Sequence, residues 1–94
     1  MSEDRFNRIQ LLAGVAGLER LRNSSVAVFG IGGVGGYAVE ALARGGVGQL
    51  TLVDFDTVNI TNINRQIHAL EETVGREKVA VMAERCRAIN PQIE

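Results

Sequence analysis

Little in this chain supports disulfide, metal or membrane chemistry. It has one cysteine and one histidine. A single cysteine cannot close an internal disulfide, and a reducing, cytoplasmic setting is the expectation. A single histidine, His68, leaves no histidine cluster for a metal, so no metal ligand is assigned. No apolar run approaches the roughly 18 residues that a membrane span needs, and no membrane partner is expected. The opening Met1-Ser2-Glu3-Asp4-Arg5 is charged and lacks the apolar core of a secretory signal. Charge of one sign is lacking too, with ten basic against eleven acidic residues and a formal net charge of −1. Nothing global marks nucleic acid as a partner, although a local basic patch is compatible with these totals. There is no internal repeat and no low-complexity tract.

What remains is a short soluble globular composition. Of the 94 residues, 46% are hydrophobic and 22% charged, which separates the chain from disordered sequences. A domain typically takes about 100–200 residues, so at most one is present.

Glycine is concentrated in one place. The continuous apolar run Val26-Ala27-Val28-Phe29 reads as a strand, and it enters Gly30-Ile31-Gly32-Gly33-Val34-Gly35-Gly36. An alanine-rich helix follows over Val34–Arg44, stopped by Gly45-Gly46. A second apolar run, Leu50–Val53, ends in Asp54. Strand, glycine turn, helix, strand and acid in that order are the signature of a nucleotide-binding unit. Gly30 makes the tight turn, Gly32 leaves room for a phosphate, and Gly35 lets helix and strand pack closely. The helix start turns free N–H groups and a positive dipole end toward the phosphate. Asp54 lies 19 residues past Gly35 (54 − 35), near the offset of about 20 expected of an acid that binds a ribose hydroxyl. The competing reading, a glycine turn kept only for packing, does not explain the acid.

The rest is read around this unit. Residues 1–24 form an N-terminal helical segment: Phe6, Ile9, Leu11, Leu12, Val15, Leu18 and Leu21 recur at helical spacing, interrupted by Gly14 and Gly17. Arg5 and Arg8 read there as surface arginines. The apolar run at Val26–Phe29 predicts a parallel strand covered on both faces. Residues 57–74 are polar and irregular, a length that is usually functional or disordered, with Asn62 placed to cap a short turn. Glu77–Ile89 is the last helix, with Val79, Met82, Ala83, Cys86 and Ile89 on its apolar side, and Asn90-Pro91 ends it. Cys86 therefore reads as a buried core thiol, and His68 as a structural group. Residues 25–94 thus read as part of a Rossmann-like α/β nucleotide-binding domain with parallel strands, truncated where a third strand would begin at Gln92-Ile93-Glu94.

The glycine turn does not distinguish NAD from ATP. A triphosphate carries more charge and usually needs cations and metal, for which Asn62, Arg65 and Lys78 are candidates. Lys78 in a helix's first turn is mildly disfavoured by the dipole. An ordinary exposed lysine explains it about as well.

A resemblance adds to this. Gly30-Ile31-Gly32-Gly33-Val34-Gly35, Leu52-Val53-Asp54-Phe55-Asp56-Thr57-Val58, Asn62-Ile63-Asn64-Arg65-Gln66 and Val74-Gly75-Arg76-Glu77-Lys78 together resemble the ubiquitin-activating-like adenylating superfamily (ThiF, MoeB and HesA). The likeness runs from about Arg5 to Glu94. Asn64–Leu70, Val81–Arg85 and Ile89-Asn90-Pro91 look most like the branch that dehydrates threonylcarbamoyladenosine in tRNA. The resemblance implies ATP with Mg²⁺ as cofactors. The ribose would be held at Asp54, the phosphates at Gly33, Asn62, Arg65 and Lys78. Arg8 would reach the nucleotide of a partner in a homodimer. It implies a reaction in which a substrate carboxylate attacks the α-phosphate and expels pyrophosphate, with Arg65, Lys78 and the partner's arginine stabilising charge. The carboxylate would belong to modified tRNA or, alternatively, to the C-terminus of a ubiquitin-like sulfur carrier. A nicotinamide-dependent oxidoreductase and a non-catalytic nucleotide-binding or dimerisation piece are the rivals outside it. Gly36 departs from the serine, alanine or cysteine usual there, which is expected to loosen the helix start. Members of the superfamily are considerably longer, so this chain alone is expected not to turn over.

Overall fold

The computed structural model describes residues 4–94; the first three residues of the N-terminal segment lie outside it. Helix α1 spans Asn7–Arg22, strand β1 Ser25–Phe29, helix α2 Gly33–Gly45, strand β2 Gln49–Val53 and helix α3 Lys78–Ile89, with single 3₁₀ turns at Ile60–Asn62 and Glu71–Thr73. The two strands pair in parallel, with Ser25 opposite Gln49 and Phe29 opposite Val53. A parallel pair needs a crossover, and α2 supplies it. The α/β architecture expected from the glycine turn is present.

The elements end where their chemistry says they should. Gly14 leaves helical geometry at φ 77°, so α1 is two short helices across a kink. Gly46 adopts the left-handed conformation and closes α2, its N–H bonded to the Ala43 carbonyl. Phe6 and Leu18 of the N-terminal segment are buried against this cap. The spacing broken at Gly14 and Gly17 predicts a short helix, a turn and a second short helix. Along them Leu11, Leu12 and Val15 stand exposed, because no described element packs on that side.

Helices α2 and α3 pack on one face of the sheet. Ile31, Val39, Ala43, Met82, Cys86 and Ile93 form the core, with Val28, Leu50, Leu52 and Val79 packed against it. Burying such side chains is worth about 1.5–3 kcal/mol each for the larger ones. Glu40 on α2 bridges Arg85 of α3 and Arg44, and locks the two helices in register. The apolar run in β1 predicts two covered faces, and here the structure differs. Exposure alternates along the strand, and Phe29 remains 74% exposed, since no described residue lies over that side. On the other edge of β2, Glu94 donates its N–H to Gly48 and accepts from Leu50, the bond pattern of a parallel pair. These two bonds lie where a third strand was expected, while the sheet itself has two strands.

Candidate nucleotide site

The site is built at the C-terminal ends of the two strands. The N–H of Gly30 bonds the Val53 carbonyl at 2.8 Å, then the chain turns sharply with Gly30 at φ 81°. Only glycine enters that region at little cost. At Gly35 the reason is contact: a Cβ there would lie 1.8 Å from the Gly30 carbonyl oxygen. Gly36 is tight as well, since its Cβ would lie 2.9 Å from the Ile31 carbonyl and 3.2 Å from Ile67. Gly36 is thus part of the buried packing at the helix start.

Helix α2 begins at Gly33 without a side-chain cap. Among the described residues the N–H groups of Gly33, Val34 and Gly35 have no partner. A Cβ at Gly33 would meet nothing within 4 Å, so the approach to these donors is open. Uncapped N–H groups and the positive dipole end suit an anion. Gly32 behaves differently from its expected role. The space beside it is taken by the Gln66 amide rather than left open.

Asp54 ties the turn to β2. Its Oδ2 accepts the Ile31 N–H at 2.9 Å and its Oδ1 the Asp56 N–H at 2.8 Å. Burial pulls the Asp54 carboxyl up, but these two bonds and the nearby positive charge of Lys78 outweigh it and hold the carboxyl below its ordinary value. Two bonds leave lone pairs on both oxygens for ribose hydroxyls.

Lys78 is brought to the same end. Val58 bonds Arg76 and Gly75, Thr57 pairs with Glu77, and the Lys78 N–H bonds the Asp56 carbonyl at 3.1 Å. This short antiparallel contact anchors the start of α3 beside the loop that follows β2. The Lys78 side chain is buried, makes no hydrogen bond among the described residues, and has Asp56 as its salt-bridge partner at 4.0 Å. The ammonium at the tip makes no hydrogen bond here, and an incoming phosphate would supply an acceptor.

Asn62 and Arg65 are held on their own loop. Asn59, not Asn62, is the cap: its side chain accepts the Thr61 N–H, while Asn62 Oδ1 accepts the Asn59 N–H at 2.8 Å. The two asparagines cap each other, an arrangement hidden by scanning for a single cap residue. The Asn62 amide nitrogen makes no hydrogen bond among the described residues. Arg65 is exposed and its Nη1 bonds the Thr61 carbonyl and Asn64 Oδ1. No hydrogen bond or ion pair joins it to Asp54 or Lys78 among the described residues. Arg8 is exposed on α1 and is likewise not bonded to any of these groups.

His68 lies beneath the turn, 1% exposed, with neither ring nitrogen hydrogen-bonded. Burial and the Lys78 charge lower its pKa, against the pull of Asp54 and the Ile31 backbone, so the ring is neutral. Cys86 is buried as expected, its thiol pushed up by burial. Among the described residues no group of three or more His, Cys, Asp or Glu side chains is placed to hold a metal ion. A cavity lined by Phe6, Arg22, Gly46, Gly48 and Glu94 lies at the opposite ends of the strands and contains none of this chemistry.

Residues 5–94 match the ThiF family over nearly the whole chain. The chain belongs to the ThiF family. Among ThiF relatives, the tRNA threonylcarbamoyladenosine dehydratase of Bacillus subtilis is 58% identical over 89 residues, 95% of this chain and 35% of that protein. The molybdopterin-synthase adenylyltransferase of Salmonella typhimurium is 45% identical, over 95% of this chain and 36% of its own length. The crystal structure of the Escherichia coli dehydratase in complex with ATP superposes with a TM-score of 0.94 at 51% identity, covering 96% of this chain and 37% of that one. The chain thus spans about one third of the length of the relatives it matches.

Proposed function

We propose that this chain forms the nucleotide-binding part of an ATP-dependent adenylating enzyme that dehydrates threonylcarbamoyladenosine in tRNA. The observation that carries the ATP reading is Lys78: a buried lysine side chain whose ammonium makes no hydrogen bond among the described residues, beside an uncapped helix start and a carboxylate with lone pairs free for ribose. A nicotinamide dinucleotide needs no such cation. The E. coli dehydratase of the same family is known in complex with ATP, and it shares half its aligned residues with this chain.

ATP supplies an electrophilic α-phosphorus and pyrophosphate as leaving group. Asp54 orients the ribose through its free lone pairs. The α2 N–H groups and Lys78 stabilise the phosphate charge, and Arg65 adds a cation once released from its loop contacts. Mg²⁺ is expected to arrive with the nucleotide; the described residues give it no ligand set. Arg8 of a second copy would complete the site in a homodimer, consistent with its exposure and with exposed Leu11 and Leu12 on the same helix. The tRNA substrate rests on the higher identity to the dehydratases than to the adenylyltransferases that act on sulfur-carrier systems. The activity belongs to the full-length protein, and the 94-residue chain alone is expected to be inactive.

The test has two arms. Titration of the full-length protein with ATP–Mg²⁺ and with NAD is expected to favour ATP; tighter NAD binding refutes the reading. Incubation with ATP and tRNA carrying threonylcarbamoyladenosine is expected to remove one water from the nucleoside by mass. Unchanged tRNA with adenylation of a carrier's C-terminus would favour the sulfur-carrier reading instead.

A further inference from the structure

Three buried side-chain atoms lack hydrogen-bond partners among the described residues: Gln66 Oε1 and both ring nitrogens of His68. All belong to one short stretch of loop, and that stretch packs against the glycine turn. Buried polar atoms are nearly always paired, and here the enclosed Gln66 Oε1 leaves Nε2 as the atom of that amide that is not enclosed.

Gln66 is the better placed of the two. Its backbone is fixed at both sides, N–H to the Asn62 carbonyl at 2.9 Å and carbonyl to the Ala69 N–H at 3.0 Å. Its amide reaches across 34 residues (66 − 32) to Gly32, with Nε2 3.1 Å and Oε1 3.3 Å from the point a Cβ on Gly32 would occupy. Neither amide atom makes a hydrogen bond, and only the oxygen is fully enclosed. The nitrogen is left as an uncommitted donor at the rim of the helix start.

We propose that Gln66 is a phosphate-binding residue, its amide nitrogen donating to a phosphate oxygen seated over Gly32 and the N-terminus of α2. The assignment rests on the ATP reading above. A neutral donor suits this place. It adds direction to the grip of Lys78 and the helix N–H groups without a further charge to desolvate. Gly32 is then glycine to admit the amide, and the amide occupies the position from which it meets the nucleotide.

The experiment is calorimetric titration of the full-length protein with ATP and, separately, with adenosine, which keeps the base and ribose but has no phosphate. Gln66→Glu keeps the shape and replaces the donor with a repelling carboxylate; Gln66→Ala removes the amide and serves if the first variant fails to fold. Gln66→Glu is expected to weaken ATP by at least about tenfold, and Gln66→Ala by about three- to tenfold, as loss of a charge-assisted bond implies. Adenosine binding is expected to stay within about twofold of wild type, a result that loss of structure alone would not give. Equal weakening of ATP and adenosine, or ATP binding unchanged in the variants, overturns the assignment while leaving the ATP reading intact. Wild-type protein that takes up no ATP overturns both.

Discussion

Asp54 accepts the backbone N–H of Ile31 at 2.9 Å, across 23 positions of sequence. That bond joins the end of β2 to the turn that follows β1, so the acid proposed to take ribose also holds in shape the turn proposed to take phosphate. In that proposal, binding and folding are coupled through one carboxylate.

The coupling has an acid signature. The Asp54 carboxyl is lowered from its ordinary 3.8 in the folded protein. Its contribution to stability is complete above that value and is lost as pH falls through the lowered folded one. The His68 ring is lowered from 6.5, so the unfolded chain takes up that proton first. Stability is therefore expected to decline below about pH 6.5 as well, before Asp54 titrates. Urea unfolding between about pH 7.5 and 5 should show this decline, and His68→Gln should remove it. A wild-type profile flat across that range would contradict the buried neutral ring.

Two glycines of the turn should respond differently. A Cβ at Gly30 meets nothing within 4 Å, so Gly30→Ala carries only the strain of positive φ, about 1–2 kcal/mol. At Gly35 the new atom would sit 1.8 Å from a backbone oxygen. Gly35→Ala is expected to cost more than about 4 kcal/mol, or to prevent folding. Thermal unfolding of both variants decides the matter, and equal losses would mean that the turn is not as close as described.

How much of this was legible beforehand depended on sequence distance. Gly30, Gly35, Gly14 and Gly46 act through local backbone geometry, and their spacing announced them; Asp54 acts across 23 positions, and its fixed offset from the glycine turn announced it. Gln66 acts on Gly32 from a distant loop, and no periodicity connects them. The Asn59–Asn62 box was half visible, because both residues are asparagines that favour turns. Exposure was the least legible property. Apolar patterning in α1 and β1 correctly marked helix and strand, but an apolar face needs a neighbour, and Leu11, Leu12 and Phe29 have none among the described residues.

Lys78 should trade stability against function. Its side chain is buried and its ammonium has one long salt bridge, so Lys78→Met removes a loosely paired charge while keeping most of the packing. The melting temperature is expected to stay level or rise, while ATP affinity falls by at least about tenfold. A large drop in melting temperature would show that Lys78 is a structural ion-pair residue.

Arg8 is expected to act across a dimer. Arg8→Ala and Lys78→Ala subunits should each be nearly inactive alone. Mixed, they form one site with its own Lys78 and the partner's intact Arg8, and activity should return toward about a quarter to a half of wild type, the share of competent sites. Failure to recover on mixing would place Arg8 in its own subunit's chemistry or on an idle surface.

ATP–pyrophosphate exchange by the full-length protein, with tRNA carrying threonylcarbamoyladenosine, tests the adenylation reading most directly. The account predicts exchange that requires the modified tRNA and falls by at least about 100-fold in Lys78→Ala. Absence of exchange under conditions where the protein binds both ATP and tRNA, or exchange undiminished in Lys78→Ala, would contradict it.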